Sequence, residues 1–475
     1  MDNTMTLILE LAIIALLIVG ITLFRTPRGA RWGNLTAAAA LLAAIVLVAS
    51  THRIVDVSWL VAALLIGGAV GIVVAVRVTM IQIPAMVAFQ HGAGGVAACT
   101  VALVELTRSG AELTPLGEVS GYLGLVIGAA TFSGSMLASA KLAAKIKQTP
   151  TILPKHNFAL LILLAAIAGL CLTASASTGS GPIALLIVAL AASVLLGWLF
   201  AIRIGGADMP VLISFLNATA GLAAAFCGIV IKNQLLIACG ATVAASGSIL
   251  TAVMCKAMNR SFVKVLSGNK SVPTSVTRPA APERPAVPRV VRTFAESMTE
   301  AKRLLHEAGS VIIVPGYGMA LAKAQFKVAD LSQRLMQMGK KVSFAIHPVA
   351  GRMPGHMNVL LAEADVDYEL LREMDDVNGE FAATDVVLVI GACDVVNPAA
   401  IMKADTPISG MPILNAHEAK HVLVFNLDER PGYSGVPNSL YDEPSTILLF
   451  GDAGKTIGEV LASLEPTPRL EGVNV

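Results

Sequence analysis

The sequence predicts a polytopic α-helical membrane domain of about nine transmembrane helices, followed by a Rossmann-like, doubly wound α/β domain. Three observations predict this combination. Hydrophobic residues form 55% and charged residues only 14% of the 475 residues, a composition typical of membrane proteins. Apolar segments, most of them long enough to cross a bilayer, fill the first half of the chain. Beyond them, short β-rich runs alternate with helical stretches, which is typical of a domain built on a parallel sheet.

Charge and proline content mark the domain boundaries. Basic side chains outnumber acidic ones over residues 1–267, whereas acidic side chains are in excess over residues 294–475. The stretch between them contains five prolines. We therefore predict a membrane domain at 1–267, an extended or mobile Pro-rich linker at 268–293 and the α/β domain at 294–475. Neither half has the basic, aromatic-interleaved surface of a nucleic-acid binder, so no nucleic-acid partner is predicted.

The predicted transmembrane helices lie at about residues 5–24, 35–50, 57–79, 82–106, 118–140, 157–174, 182–201, 209–230 and 234–256. Most loop lysines and arginines fall on one side, so the positive-inside rule places the N-terminus outside and the α/β domain in the cytoplasm. The first span begins with acidic residues and is followed by arginines, which favours a retained helix over a signal peptide. Small residues at Gly92 to Gly95 and at Gly67 to Ala69 predict close contact between helix backbones.

Three polar residues in these apolar segments are candidates for function, because a polar group in hydrocarbon is costly and usually faces water or a partner. His91 lies in the middle of its segment and can change charge near neutral pH, so it could hydrogen-bond between helices or relay protons. Asp208 begins the eighth segment, where it could also serve as a helix N-cap. Asn217 lies deeper in the same segment, where capping does not explain it. We expect Asp208 and Asn217 to meet His91 in the bundle.

No metal site or disulfide framework is predicted. The six cysteines occur singly and have no C-x-x-C spacing. Their expected role is that of small buried hydrophobic residues.

The C-terminal half alternates strands and helices. The predicted strands are Val311–Val314, Val342–Ile346, Val386–Ile390, Val422–Asn426 and Thr446–Phe450, and the predicted helices are Met319–Met338, His356–Ala364 and one that follows Phe450. Ligands bind at the carboxyl ends of the strands in such sheets. The loops that follow the strands are therefore the places to look for a site.

Three of these loops have the composition of a nucleotide-binding crevice. Gly316-Tyr317-Gly318 keeps the first two glycines of the dinucleotide fingerprint, although Leu321 stands at the third position. The run from Gly351 to His356 offers a glycine-flanked guanidinium at Arg352, which suits a pyrophosphate but could also be a surface arginine. The run from Gly391 to Pro398 follows the third predicted strand, and it could equally form an Asx-turn. No acidic residue follows the second strand, where an ordinary NAD site binds ribose.

Four longer motifs resemble those of one known family: Pro315 to Ala320, His347 to Glu363, Met411 to Asn415, and Met254 to Phe262. Over nearly its whole length the chain resembles the β subunit of the proton-translocating nicotinamide nucleotide transhydrogenase. The resemblance implies direct hydride transfer from NADH, held by a separate α subunit, to NADP+ held in the α/β domain of this chain. It also implies coupling to proton movement through the membrane helices. Hydride transfer requires placement of two nicotinamide rings and no general base.

The resemblance further implies roles for individual residues. The residues expected to serve catalysis and proton transfer are His91, Asn217, Asp208 and Asp394. The residues expected to bind NADP(H) are Gly316, Tyr317, Gly318, Val349, Ala350, Gly351, Arg352, Met353, Pro354, Gly391, Ala392, Asp394, Asn397, Asn426, Asp428, Tyr433, Gly451, Asp452 and Ala453. The nucleotide would lie reversed relative to ordinary dehydrogenases, which would explain the absent acidic residue. A dimer of αβ units in a bacterial inner (plasma) membrane is also expected.

One segment departs from the family. After the strand that ends at Phe425, the family has Lys-Arg-Ser, which grips the ribose 2′-phosphate, whereas this chain has Asn426-Leu427-Asp428 and then Glu429-Arg430. Acidic groups repel a phosphate and can accept a hydrogen bond from a 2′-hydroxyl. NAD(H) is therefore an alternative ligand, unless Arg430 or another cation supplies the missing charge. Cys393 is a second departure, because the family has Asn there.

Other classes of protein could combine the same parts. A nucleotide-gated transporter or channel would use the α/β domain only to sense NAD(P)(H), and it would need no α subunit. A membrane reductase with haem or flavin is a third class, but the sequence lacks the histidine pairs across helices that haem requires.

Overall fold

The computed structural model describes residues 3–23, 27–51, 57–108, 113–148, 150–177, 181–267, 292–353, 355–403, 406 and 408–464. The predicted linker lies outside these residues except for its last two positions. The chain forms two compact units, the first made of Met1–Gly205 and Val211–Ala252, and the second of Gly206–Pro210 and Val253–Val475.

Nine helices in the described residues are long and apolar enough to cross a membrane, which confirms the predicted number. They are α1 Asn3–Leu23, α2 Pro27–Thr51, α3 Val57–Arg77, α4 Ile83–Thr107, α5 Pro115–Leu142, α6 His156–Ala176, α7 Gly181–Ile202, α8 Met209–Val230 and α9 Gln234–Ala257. Many large apolar side chains on them are exposed, Leu65, Val76 and Leu172 among them. Hydrocarbon solvates such side chains, and the helices satisfy their own backbone groups.

Glycines let two helices of the first unit approach closely. A Cβ placed on Gly95 of α4 would lie 2.7 Å from the carbonyl oxygen of Gly128 in α5, and a Cβ on Gly128 would lie 2.8 Å from that of Gly95. The predicted close contact is thus confirmed at Gly95. It is wrong for Gly67 and Gly68 of α3 within the described residues, because no atom lies within 4 Å of their Cβ positions.

A buried lysine fastens α5 to the end of α7. Lys141 is 2% exposed, and its Nζ donates to the carbonyl oxygens of Ala201, Ile202 and Ile204 at 3.1, 2.8 and 2.6 Å. The last carbonyls of a helix lack intrahelical partners, and a cation is favourable beside them. Lys141 therefore caps α7 from a neighbouring helix.

The second unit contains a six-stranded parallel sheet. Its strands are β1 Ser310–Pro315, β2 Lys341–Ile346, β3 Leu371–Glu373, β4 Val386–Ile390, β5 His421–Phe425 and β6 Thr446–Leu448. Its helices are α10 Phe262–Ser267, α11 Phe294–Glu307, α12 Tyr317–Leu321, α13 Gln325–Gln337, α14 His356–Glu363, α15 Met374–Val377, α16 Ala399–Met402 and α17 Ala453–Leu464. The strand order is β3-β2-β1-β4-β5-β6, and every pair is parallel. This order confirms the predicted Rossmann-like fold.

The central strands form because they are apolar throughout. Every residue of β4 is buried, and only the first residue of β1 is partly exposed. Strands covered on both faces read as continuous runs of Val, Ile and Leu, which is the pattern in both segments.

The observed elements differ from the predictions in several places, and three of the differences have a physical reason in the sequence. The helix predicted at Met319–Met338 is interrupted between α12 and α13, where Lys323 has a φ of +50°. The helix α11 was not predicted, although Thr293 and Glu296 form the capping box that begins it. The edge strand β3 was also missed, because it is three residues long and two of them are charged.

We expect Gly95→Ala to lower the melting temperature of the purified chain in detergent, because the added methyl group would push α4 away from α5. Overpacking of this kind costs about 1–3 kcal/mol. Gly94→Ala is the matched control, because it lies on the same helix with no described atom within 4 Å of its Cβ position. That variant should be as stable as the wild type or slightly more stable, since alanine favours a helix. Equal melting temperatures for the two variants would contradict the packing.

Candidate functional site

Two glycine loops meet where the strand order of the sheet reverses. Gly316 follows β1 and Gly391 follows the neighbouring strand β4. The Gly316 N–H donates to the Ile390 carbonyl oxygen and the Gly318 N–H donates to that of Gly391, both at 2.8 Å. A Cβ on Gly318 would lie 2.7 Å from Gly391 Cα, and Gly391 has a φ of +67°. The glycines therefore hold the loops together at the point where doubly wound sheets bind ligands.

The amides of this turn are mostly used inside the protein. Besides the two bonds above, the Met319 N–H donates to the Gly316 carbonyl oxygen at 3.1 Å. The helix that follows, α12, has only five residues and a correspondingly short dipole. The turn thus serves loop packing, and a nearby side chain can supply positive charge for an anionic ligand.

That charge is available in a stacked cluster of Tyr317, Arg352 and Tyr433. The guanidinium carbon of Arg352 lies 4.3 Å from the Tyr317 ring centroid and 5.8 Å from that of Tyr433. Arg352 Nε and Nη2 donate to the Tyr433 hydroxyl at 3.1 and 2.8 Å. Burial raises the pKa of Tyr317 to about 12, so this phenol stays neutral beside the cation. Loops from three strands therefore converge on one planar cation suited to a pyrophosphate.

The loop after β2 is held by His347. This side chain is 1% exposed; its Nε2 donates to the Pro412 carbonyl oxygen at 2.9 Å, and its Nδ1 accepts from the Val349 N–H at 3.2 Å. Only a neutral imidazole can make both bonds, and burial lowers the pKa of His347 to about 4. The loop continues through Val349, Ala350, Gly351, Arg352 and Met353, whereas Pro354 lies outside the described residues.

Asp394 anchors the loop that carries Tyr433. Its Oδ1 accepts from the Ser434 hydroxyl at 2.6 Å, and its Oδ2 accepts from the Ser434 N–H at 3.0 Å. A Cβ on Gly432 would lie 2.8 Å from Oδ2. The carboxylate therefore contacts the residues immediately before and after Tyr433. Burial raises the pKa of Asp394. In this arrangement Asp394 positions Tyr433 and does not present a free carboxylate.

Asn397 makes a second connection between the same loops. It is fully buried, and its Nδ2 donates to the Pro437 carbonyl oxygen at 3.1 Å. Its Oδ1 accepts from the Ala399 N–H at 3.0 Å and from the Ser439 N–H at 3.2 Å. Its side chain thus bonds to the protein itself.

The segment after β5 has no uncompensated cation among residues 426–430. Asn426 is 8% exposed, and its Nδ2 donates to the Ala392 carbonyl oxygen at 2.8 Å and to the Tyr441 hydroxyl at 2.6 Å. Asp428 accepts from Arg430 Nε at 2.7 Å and from the Arg430 N–H at 2.9 Å. The pKa of Asp428 is lowered by these bonds from Arg430. Arg430 therefore already has an acidic partner.

The last predicted nucleotide-binding residues lie at the start of α17. The Gly451 N–H donates to the Asn426 carbonyl oxygen at 2.9 Å, and Gly451 has a φ of +146°. Asp452 Oδ1 accepts from the Lys455 N–H at 3.0 Å, and Ala453 is the first residue of the helix. These residues connect the end of the sheet to α17.

In the first unit, His91 lies on α4 and Asn217 on α8. The Cys227 thiol of α8 donates to the Ala98 carbonyl oxygen of α4 at 3.0 Å, so the two helices pack together. No hydrogen bond joins His91 to Asn217 in the described part of the chain. The structure thus places the two residues on packed helices without a direct bond between them.

Two buried polar atoms of the first unit, His91 Nδ1 and Ser135 Oγ, and one of the second unit, Asp208 Oδ1, have no hydrogen-bond partner among the described residues. Ser135 lies on α5, and a Cβ on Gly92 would be 3.2 Å from its Cβ. Asp208 belongs to the second unit, where its Oδ2 accepts from Arg260 at 3.0 Å. Neither Ser135 nor Arg260 was singled out from the sequence.

Comparisons with known proteins agree on one family. Residues 6–463 match the family model described as NAD(P) transhydrogenase beta subunit. The chain is 40% identical over 472 residues to NAD(P) transhydrogenase subunit beta of Rhodospirillum rubrum, a match that covers 98% of this chain and 100% of the relative. A relative of the same description from a named strain of that species is equally similar. The chain belongs to the NAD(P) transhydrogenase beta subunit family. The resemblance carried by the sequence motifs is thereby confirmed.

The structure brings together some of the residues that the sequence predicts to bind the nucleotide of a transhydrogenase beta subunit. Tyr317, Arg352 and Tyr433 meet directly, and Gly316, Gly318 and Gly391 form the contact beneath them. Two residues that hold these loops, Ser434 and His356, were not proposed from the sequence. The glycines flanking Tyr433-Ser434 and the histidine that ends the Gly351–His356 run were the available signals.

We expect acid to weaken the α/β domain through His347. Its folded-state pKa of about 4 lies below the ordinary value of 6.5, so the unfolded chain binds the extra proton between these values. Its contribution to stability is therefore complete above about pH 6.5 and is lost progressively as pH falls toward 4. The full-length wild type and His347→Asn should be compared by pulse proteolysis from pH 7 to pH 4.5. As pH falls, the free energy of unfolding should decrease more in the wild type than in His347→Asn. A difference between the two that does not change with pH would contradict the lowered pKa of His347.

Proposed function

We propose that this chain binds NADP(H) in the crevice at the carboxyl ends of β1 and β4 and exchanges a hydride with NAD(H) held by a partner α subunit. Hydride transfer would be coupled to proton translocation through the membrane helices. The observation that carries the proposal is the Tyr317–Arg352–Tyr433 cluster at the switch point of a Rossmann sheet, in a chain that also has nine membrane-length helices among its described residues. The names of the relatives support the same reaction.

The residues of the crevice fit a dinucleotide. Arg352 offers a planar, partly shielded cation for the pyrophosphate, and Tyr317 and Tyr433 offer aromatic surfaces beside it. The nicotinamide supplies the hydride chemistry when bound. The protein would supply placement: the glycine contact brings the loops together, and Asp394 fixes Tyr433 through Ser434.

For the proton path we propose His91, Asn217 and Asp208. Histidine can change charge near neutral pH, and the unpartnered Nδ1 of His91 leaves a position for water or another polar group. Coupling requires that protonation favour one state of the nucleotide domain over another, because a ligand shifts an equilibrium only through its differential affinity.

The expected setting is a bacterial inner membrane, with the N-terminus outside, the nucleotide domain in the cytoplasm and the αβ unit forming a dimer. The loop charges support this orientation. A nucleotide-gated channel would not need an α subunit, and neither the described residues nor the relatives favour it.

Vesicles that contain this chain and its candidate α subunit should transfer hydride from NADH to a NADP+ analogue and acidify or alkalinise their lumen at the same time. Vesicles with this chain alone should do neither. The measurement is absorbance of the reduced analogue together with a pH-sensitive dye. Nucleotide-dependent ion flux from this chain alone, without hydride transfer, would support the channel and contradict the proposal.

Variants in the membrane helices separate proton-coupled turnover from nucleotide binding. His91→Ala and Asn217→Ala should each abolish proton-coupled turnover and leave nucleotide binding by the full-length chain unchanged. Ala93→Ser adds one hydroxyl group to the same helix and is the control for a general effect of changed polarity in α4. This variant should keep proton-coupled turnover.

The structure bears on which nucleotide this chain prefers. In the family, the segment after β5 contacts the ribose 2′-phosphate with cations. Here Asn426 turns inward to Ala392 and Tyr441, and the charge of Arg430 is paired with Asp428. Charge-assisted bonds to phosphate are roughly twice as strong as neutral ones, so their loss weakens discrimination. We therefore propose that the chain accepts NADP(H) but distinguishes it poorly from NAD(H).

Titration of the full-length chain with NADPH and NADH should give dissociation constants within about tenfold of each other, equivalent to about 1.4 kcal/mol. Asp428→Ser should release Arg430 and strengthen NADPH binding selectively, in a salt-sensitive way. Asp442→Ser, which removes an exposed acid elsewhere between β5 and β6, is the matched control. A preference for NADPH beyond a hundredfold in the wild type would contradict weak discrimination.

A further inference from the structure

His356 connects two of the loops that form the crevice. Its ring centroid lies 6.0 Å from that of Tyr317 in the loop after β1. Its Nδ1 accepts from the Arg352 N–H at 3.1 Å in the loop after β2. A Cβ on Gly351, whose φ is +104°, would lie 2.6 Å from that nitrogen. Only glycine therefore lets the backbone before Arg352 pass over the imidazole.

The bond to Arg352 fixes the tautomer of the ring. An Nδ1 that accepts carries no proton, so a neutral imidazole has its proton on Nε2. Burial and the nearby charge of Arg352 both lower the pKa of His356, to about 4, which keeps the ring neutral. The Nε2–H is buried, yet it has no hydrogen-bond partner among the described residues.

An unpaired buried donor needs an explanation in a stable domain. His356 is 1% exposed, so its Nε2–H is removed from water without compensation, and such a group destabilises the fold. A leucine would fill a similar volume without that cost. What the histidine supplies at this position is its other nitrogen, which accepts from the Arg352 N–H.

We propose that His356 is a positioning residue of the nucleotide site, which holds the Gly351–Arg352 backbone so that the Arg352 guanidinium stays over the Tyr317 ring. The inference rests on the proposed function, because it assumes that Arg352 binds the nucleotide. Its action is indirect: the imidazole contacts the backbone of Arg352 and not the ligand. The specific prediction is that an acceptor at the Nδ1 position is what matters.

Three substitutions separate the two nitrogens. His356→Asn keeps an acceptor close to the position of Nδ1, His356→Gln places its polar group nearer Nε2, and His356→Leu keeps neither. Each full-length variant should be titrated with NADPH and with NADH, and its melting temperature should be measured without nucleotide. With the α subunit present, KM and kcat for NADP+ should be measured as well.

We expect His356→Leu and His356→Gln to weaken NADPH binding about tenfold and to raise KM with kcat within about twofold, since one positioning hydrogen bond is lost. His356→Asn should bind within about threefold of the wild type. The nucleotide-free melting temperature of His356→Leu should stay close to that of the wild type, because the unpaired Nε2–H is removed while the Arg352 N–H loses its acceptor. His306→Leu, on the exposed side of α11, should change none of these values.

Three results would overturn the proposal: wild-type affinity in His356→Leu, rescue by glutamine and not by asparagine, or weaker binding that appears only together with a lowered nucleotide-free melting temperature. Failure of the proposed function would look different. In that case the wild type itself would bind neither NADPH nor NADH, and this inference would be overturned together with the function on which it rests.

Discussion

The contact between the Gly316–Gly318 turn and the Gly391 loop is the constraint on which the α/β unit depends. Two backbone hydrogen bonds of 2.8 Å join the loops, and no side chain fits between them. Because β1 and β4 are adjacent, this contact joins the loops at the carboxyl end of the sheet, where the strand order reverses. Tyr317 emerges from this contact, and the position of its ring determines where Arg352 can stack.

Around that contact, two buried polar side chains and one half-buried side chain fix the other loops. His347 in the loop after β2 hydrogen-bonds to Pro412. In the loop after β4, Asp394 hydrogen-bonds to Ser434, and Asn397 hydrogen-bonds to Pro437 and Ser439. A buried polar group is favourable only when it is fully bonded, so each of these residues admits few alternative loop conformations. The result is a site with one central cation whose neighbours are held by bonds within the protein.

Much of the architecture could be predicted because it depends on local composition. A membrane-spanning helix must be mainly apolar over about 20 residues, which makes α1 to α9 recognisable, and burial on both faces makes β1 and β4 continuous runs of branched residues. The short charged edge strand β3 and the interruption at Lys323 depend on tertiary contacts and backbone conformation, which composition does not encode. The glycines and Arg352 could be proposed from the loop composition and Tyr433 from the family resemblance. His356 was visible as the end of the Gly351–His356 run, but its role is recognisable only from the position of its ring under Gly351.

The anchoring of the loop after β5 has a consequence for nucleotide preference. Three hydrogen-bonded contacts attach residues 432–439 to the loop after β4. They are made by Asp394 with Ser434, by Asn397 with Pro437, and by Asn438 with the Cys393 carbonyl oxygen. Residues 427–430 lie outside this attachment, and Asp428 and Arg430 bond mainly to each other. Substitutions there can accumulate without displacing Tyr433. On the proposed role of residues 427–430, substitutions there would change nucleotide preference without altering the bonds that hold Tyr433 beside Arg352.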